Sequence, residues 1–237
     1  MSEDSEVFLP SVYTDGSYLE KTGGTWHLED SPFKAGQVLR MLRRHPEIEA
    51  RTILEIGCGA GGILSELQKL LGPDVVLTGY EISPQAHALS EQFANDRCKY
   101  ILGDAFADPS VYDLVLVMDV VEHVEDCFSF LRRAKSRGRW KLYHIPLDAH
   151  ASAILRGVNS WNAAGHLHLF TMETAIKSLE RTGHCVVDYI LTTGVFAQHN
   201  KALRTRLANL PRRALMKLSP RMVARLFGGL SMLILAE

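Results

Sequence analysis

Thr52-Ile53-Leu54-Glu55-Ile56-Gly57-Cys58-Gly59-Ala60-Gly61-Gly62 is the stretch whose reading decides the fold. A strand-length apolar run passes straight into a glycine-rich turn, and from Gly62 to Leu71 apolar residues recur at helical spacing. Glycines let the backbone turn tightly and let a ligand come close where a Cβ would stand in the way. The helix that follows favours a negative group at its N-terminus. In an open α/β sheet such a strand-to-helix crevice is where ligands bind. Gly57, Gly59 and Gly62 satisfy G-x-G-x-x-G, and Glu81 lies 19 residues after Gly62, where an acid binds ribose hydroxyls. Taken alone, the loop fits a nicotinamide dinucleotide as well as any other nucleoside cofactor, so a nicotinamide-dependent oxidoreductase is one reading.

Outward from this loop, strand-like runs alternate with helix-length amphipathic segments, the pattern of βαβ units and a largely parallel sheet. The strands are expected at Thr52 to Ile56, Val75 to Glu81, Lys99 to Leu102, Tyr112 to Met118, Trp140 to Ile145, Cys185 to Leu191 and Ser231 to Ala236. Crossover helices are expected at Gly62 to Leu71, Pro84 to Asn95, Val124 to Ala134 and Met172 to Thr182. Upstream, Ser31-Pro32 and the periodic run to Arg43 read as a capped helix with proline at its first position. The expectation is an α/β, Rossmann-like, seven-stranded and mostly parallel sheet with helices on both faces. It forms a single domain with an N-terminal helical cap (residues 1–50), a cofactor-binding core (51–195), a helical insertion (196–229) and the last strand (230–237).

Composition narrows the class. The chain has 237 residues, 46% hydrophobic and 22% charged, the balance of an ordinary globular protein. A net charge of -1 gives no global field for nucleic acid, and no nucleic-acid partner is expected. Cys58, Cys98, Cys127 and Cys185 show no ligand spacing, which argues against structural zinc or a disulfide scaffold. An acidic N-terminus unlike a secretory signal, together with apolar runs too short to span a bilayer, points to a reducing, cytoplasmic setting.

ILEIGCGAGG resembles motif I of class I S-adenosylmethionine-dependent methyltransferases, including the acid, Glu55, two positions before the first glycine. The similarity continues in three further places between about residues 52 and 192. Glu81, in GYEISP, corresponds to the acid that holds both ribose hydroxyls, with Ile82 beside it. Asp104, in LGDAF, stands with Ala105 where relatives place a polar group against the adenine amine. Asp119-Val120-Val121-Glu122-His123-Val124 is similar to the DxxEHV signature of the branch that includes ubiquinone-biosynthesis enzymes. The resemblance implies S-adenosylmethionine as cofactor and S-adenosylhomocysteine as product. Glu55, Gly57, Cys58, Gly59 and Gly61 are then its binding residues, together with Glu81, Ile82, Asp104, Ala105 and Asp119. In the ubiquinone-type relatives an acid-x-x-Glu-His run can hold a divalent cation, and Asp119, Glu122 and His123 match it. The family signature already explains these three residues, so a metal is the less favoured reading and no metal site is assigned.

Methyl transfer needs a nucleophile held in line with the methyl carbon, and a base only if the acceptor enters protonated. Histidine suits that task near neutrality, and His123, after the fourth strand, is the first choice as catalytic residue. His27 in Trp26-His27-Leu28-Glu29-Asp30-Ser31-Pro32-Phe33-Lys34, and His166 and His168 in an alternating extended segment, are candidate acceptor contacts. Trp26 and Phe33 read equally as a hydrophobic clamp around the helix start.

Residues 196–229 hold eight Lys or Arg between Lys201 and Arg225, with no Asp or Glu, interleaved with apolar residues. They read as a lid, as a platform for an anionic acceptor, or as an element lying on the anionic inner face of a membrane. The function expected from the sequence is methyl transfer to oxygen of a small-molecule or sugar-containing metabolite. Nitrogen methylation and a glycan, glycolipid or lipid-linked acceptor are alternatives, as is a non-catalytic assembly protein that keeps the cofactor pocket.

Overall fold

The computed structural model describes residues 15, 17–155, 165–193, 215–216 and 218–237. The strands are β1 (Thr52–Ile56), β2 (Val76–Glu81), β3 (Cys98–Leu102), β4 (Tyr112–Met118), β5 (Gly138–Pro146), β6 (Val186–Thr192) and β7 (Ser231–Ala236). They form one seven-stranded sheet in the order β3-β2-β1-β4-β5-β7-β6. Strands β1 to β5 pair in parallel, while β7 runs antiparallel to both β5 and β6. Chain order reverses between β1 and β4, so their C-terminal ends open the crevice that such sheets use for ligands.

The described helices are α1 (Ser17–Lys21), α2 (Ser31–Arg44), α3 (Gly62–Leu70), α4 (Pro84–Ser90), α5 (Cys127–Lys135), α6 (Ala151–Leu155), α7 (Met172–Arg181) and α8 (Pro220–Leu226). The central strands β1 and β4 are mostly apolar because both faces are covered. Leu54 and Val115 join one core with Leu131 of α5 and Leu179 of α7. Their chain neighbours Ile53 and Leu114 join the opposite core with Val38 and Met41 of α2 and Leu64 of α3. Successive strand residues point to opposite faces, so a single apolar run feeds both cores.

Several boundaries differ from the sequence reading. β2 starts at Val76, β3 at Cys98 and β6 at Val186, and β5 extends from Gly138 to Pro146. The helix expected from Pro84 to Asn95, α4, ends at Ser90 and gives way to a 3-10 turn, Glu91–Phe93. The helix expected from Val124 begins at Cys127, where Asp126 accepts a hydrogen bond from the Ser129 amide, and a 3-10 turn at Val121–His123 precedes it. Ser31 is the first residue of α2 and does not cap it; its hydroxyl packs where a Cβ on Gly62 would stand. Of the basic insertion, residues 196–214 and Lys217 lie outside the described residues.

Candidate functional site

The glycine loop leaves β1 through Gly57, whose amide, like that of Cys58, donates to the Tyr80 carbonyl at the end of β2, at 2.9 and 3.0 Å. Gly57 and Gly59 adopt φ of 72° and 53°, a region costly for residues with a Cβ. A Cβ on Gly57 would stand 2.7 Å from the Val120 side chain, and one on Gly59 2.9 Å from the Trp26 indole. The loop is thereby pressed between the β4 tip and the N-terminal segment. It forms the floor of a cavity of about 880 Å³.

Two buried acids, Glu55 and Glu81, stand beside the loop in this cavity. Glu81 Oε2 accepts from the Gly59 amide at 2.7 Å, and Oε1 accepts from the Ile82 and Ser83 amides at 2.9 and 2.8 Å. Burial raises its pKa against the lowering effect of these amides. Glu55 is 1% exposed, and neither carboxylate oxygen has a hydrogen-bond partner among the described residues. Burial, partly offset by Lys34, pushes its carboxyl up to about 8. An uncompensated buried carboxyl facing a cavity is costly unless a ligand donor satisfies it, so the site is chemically incomplete without one. Ile82, Asp104 and Ala105 line the same cavity, as does Cys58, whose buried thiol is shifted upward. Asp104 accepts from the Phe106 amide and from Arg133 Nη2 at 2.9 and 3.1 Å, with the guanidinium 4.2 Å over the Phe106 ring.

At the β4 tip, Asp119 takes φ 59°, which is uncommon outside glycine. Its Oδ2 pairs with Lys34 Nζ of α2 at 2.7 Å, and its Oδ1 accepts from His144 Nδ1 of β5 at 2.6 Å. His144 Nε2 lies 2.9 Å from Thr192 Oγ1. Burial acts to raise the Asp119 pKa, but His144 and Lys34 override it and hold the group well below the carboxylate range. Burial likewise acts to lower the Lys34 pKa, and Asp119 overrides it upward. The Asp119 side chain is therefore committed to holding α2 and β5 together at the cavity rim.

The turn after β4 carries Glu122 and His123. Glu122 is fully buried and lines the cavity, its oxygens without hydrogen-bond partners among the described residues; burial and the neighbouring Asp119 charge push its carboxyl upward. His123 Nδ1 donates to the Gly165 carbonyl at 3.1 Å, and burial pulls the imidazole down to about 4. His166 faces the His123 ring edge to face, with centroids 4.8 Å apart, and donates from Nδ1 to Asp148 Oδ2 at 2.7 Å. His166 and His168, two of the three expected acceptor histidines, thus diverge. His166 lines the cavity, whereas His168 Nε2 donates to the Val124 and Glu125 carbonyls. His27 lines the cavity at φ 60°, beside Trp26, whose ring packs against Tyr18 at 4.8 Å.

The cation suggested by the family run does not fit as that run places it, because both Asp119 oxygens are occupied by Lys34 and His144. Glu122, His123 and His166 offer donor atoms within 4.8 Å of one another. His123 Nε2 and Glu122 Oε1 are 4.0 Å apart, wider than the roughly 3.0–3.5 Å between adjacent ligands of a zinc or magnesium ion.

Sequence reasoning left Lys34, His144, Asp148 and Tyr18 without roles. Lys34 was visible in its motif, but nothing local marks the partner it finds on β4. Asp148 sits just past β5, and only the loop at 165–168 gives it one.

The architecture defines a Rossmann-like α/β protein with a glycine-floored cavity at its switch point. A methyltransferase-domain family model matches residues 54–137. The chain is 40% identical over 146 residues to the mitochondrial ubiquinone biosynthesis O-methyltransferase of Schizosaccharomyces pombe, covering 54% of this chain and 52% of that protein. Against the Chromobacterium violaceum ubiquinone biosynthesis O-methyltransferase it is 32% identical over 148 residues, covering 56% and 62% respectively. The chain thus spans little more than half the length of these curated relatives. Among solved structures, a putative sarcosine dimethylglycine methyltransferase from Galdieria sulphuraria superposes with TM-score 0.64 at 14% identity, covering 94% and 97% of the two chains. Magnesium protoporphyrin IX methyltransferase of Synechocystis PCC 6803 with bound S-adenosylhomocysteine gives TM-score 0.58 at 14% identity, covering 86% and 82%. Residues 54–137 are thus similar to methyltransferase domains, and the sheet shares its fold with solved methyltransferases. No described helix is long and apolar enough to cross a membrane.

Proposed function

We propose that this protein transfers the methyl group of S-adenosylmethionine to a hydroxyl oxygen of a small-molecule acceptor. The observation that carries the reading is the glycine-floored cavity in which Glu55 stands buried without a hydrogen-bond partner and Glu81 closes the loop from β2. When bound, the cofactor supplies a sulfonium methyl whose C–S bond breaks as the C–O bond forms. Glu55 offers its two oxygens to the cofactor's ammonium, and Glu81 uses its remaining lone pairs for the ribose hydroxyls. Asp104 and Ala105 border the adenine end, while Asp119 acts through Lys34 and His144 to fix the rim. Trp26 excludes water above the loop. His123, His166 and Glu122 stand where the acceptor enters, and the names of the curated relatives support oxygen as the methylated atom. Residues 196–229 support contact with an anionic membrane through their eight cations. Of these, Arg221 is bonded to the Tyr189 hydroxyl and Arg225 to Glu173.

Calorimetry with S-adenosylmethionine and S-adenosylhomocysteine should show micromolar-range binding, and mass-spectrometric screening of cell extracts should show a gain of about 14 daltons in one component. Absence of binding, or thermal stabilisation by NAD and none by S-adenosylhomocysteine, would remove the reading.

A further inference from the structure

Two imidazoles meet at the acceptor side of the cavity, and their surroundings give them different tasks. His123 spends Nδ1 on the Gly165 carbonyl, with 18% of its side chain exposed, and desolvation pulls its imidazole down. His166 spends Nδ1 on the carboxylate of Asp148, at 2.7 Å, with 16% of its side chain exposed. A carboxylate only accepts, so this bond fixes the proton on Nδ1 and leaves the Nε2 lone pair as the accepting site.

Backbone bonds hold the pair in place. The Leu167 and His168 amides donate to the Glu122 carbonyl at 2.7 and 3.1 Å, and the Ala149 amide donates to the Phe170 carbonyl at 3.1 Å. The Leu147 amide donates to the Leu230 carbonyl at 2.9 Å. The charged and titratable groups facing His166 are Asp148 from the loop after β5, with Glu122 and His123 from the turn after β4.

We propose that His166 is the base that removes the acceptor's hydroxyl proton and that Asp148 is its positioning residue, an assignment that rests on the methyl-transfer reading above. The acceptor's O–H bond breaks with its proton going to Nε2, and an oxygen lone pair forms the bond to the methyl carbon. The C–S pair returns to sulfur, and the imidazolium formed beside Asp148 then loses its proton to solvent. His123 flanks the base and shapes the loop through Gly165.

Catechol and 4-nitrocatechol are suitable probes, because the nitro group makes the hydroxyl acidic enough to be ionised near neutral pH. His166→Gln should lower turnover of catechol by about 100-fold or more, the usual worth of a general base, and Asp148→Asn by about 10-fold or more. Both variants should bind S-adenosylhomocysteine within about 2-fold of wild type, as base removal without loss of the cofactor site requires. With 4-nitrocatechol the loss in His166→Gln should shrink to about 10-fold or less, since no proton need be taken. Equal losses on both probes would assign His166 a structural role and overturn the proposal, as would unchanged turnover of catechol. Activity abolished by a chelator and restored by magnesium would also overturn it. A wild-type protein that binds S-adenosylhomocysteine yet methylates neither probe would sink the hydroxyl-base assignment; failure to bind the nucleoside at all would instead strike the parent reading.

Discussion

Replacing Lys34 by Met keeps the apolar stem of the side chain and removes only its charge, leaving Asp119 Oδ2 without the partner it holds at 2.7 Å. The Lys34 and Asp119 side chains are 19% and 26% exposed, so the pair lies between a surface ion pair, worth about 0–1 kcal/mol, and a buried one, whose breakage costs about 3–5 kcal/mol. Because His144 still serves Oδ1, a loss of about 2 kcal/mol is expected on this scale. For a chain of this size that corresponds to a fall of about 4–8 °C in Tm. Urea unfolding of Lys34→Met, Asp119→Asn and the double variant should give a coupling energy of about 1–2 kcal/mol. Asp119 has its folded pKa depressed, so its contribution is present above the unfolded value near 3.9 and is lost as pH falls through the lower folded value. Lys34 has its pKa raised, so its contribution is present below the unfolded value near 10.4 and is lost as pH rises through the folded one. The difference between wild type and variant should therefore stay flat from about pH 5 to 9 and close below about pH 4. A coupling below about 0.5 kcal/mol, or a difference that varies across the neutral range, would refute the assignment of Lys34 and Asp119 as the clasp between α2 and the β4 tip.

Glu81→Gln should weaken S-adenosylhomocysteine binding by about 10–100-fold in calorimetry, because a charged bidentate acceptor becomes a half donor opposite the Gly59 amide. Gly61→Ala should lower stability in urea unfolding, since its Cβ would stand 2.5 Å from the Tyr100 ring and 2.8 Å from Ser90 Cβ at φ 79°; full wild-type stability would contradict the packing of α3 against β3. His45 hydrogen-bonds Asp188 and Glu47 at 3.0 Å each, and the Asp188 bond leads in raising its pKa. Its contribution is present below the unfolded value near 6.5 and is lost as pH rises through the folded one, so His45→Ala should cost stability at pH 6 and nothing at pH 9. An equal cost at both pH values would show that the ring acts by packing alone.

Much of the core was legible in local pattern. Thr52–Ile56 and Tyr112–Met118 read as strands because their runs are mostly apolar and buried on both faces, with Glu55 and Asp113 the acids within them. The glycine loop was legible because positive φ and close approach leave glycine as the residue that fits, and Glu81 because its position after β2 follows from the βαβ unit. Helix ends were read less well. The Val121–His123 turn is stabilised by bonds from Leu167 and His168, which no local signal announces.

What the sequence by itself determined was the class of sheet, the glycine turn that floors the cavity and the acids that stand beside it, since all three follow from the local pattern of strand, turn and helix. Only the tertiary structure decided that Asp119 serves Lys34 and His144, and that His168 turns to backbone carbonyls while His166 meets Asp148. Those assignments depend on which strand ends and loops the sheet order brings side by side, and on which hydrogen-bond partners burial leaves within reach.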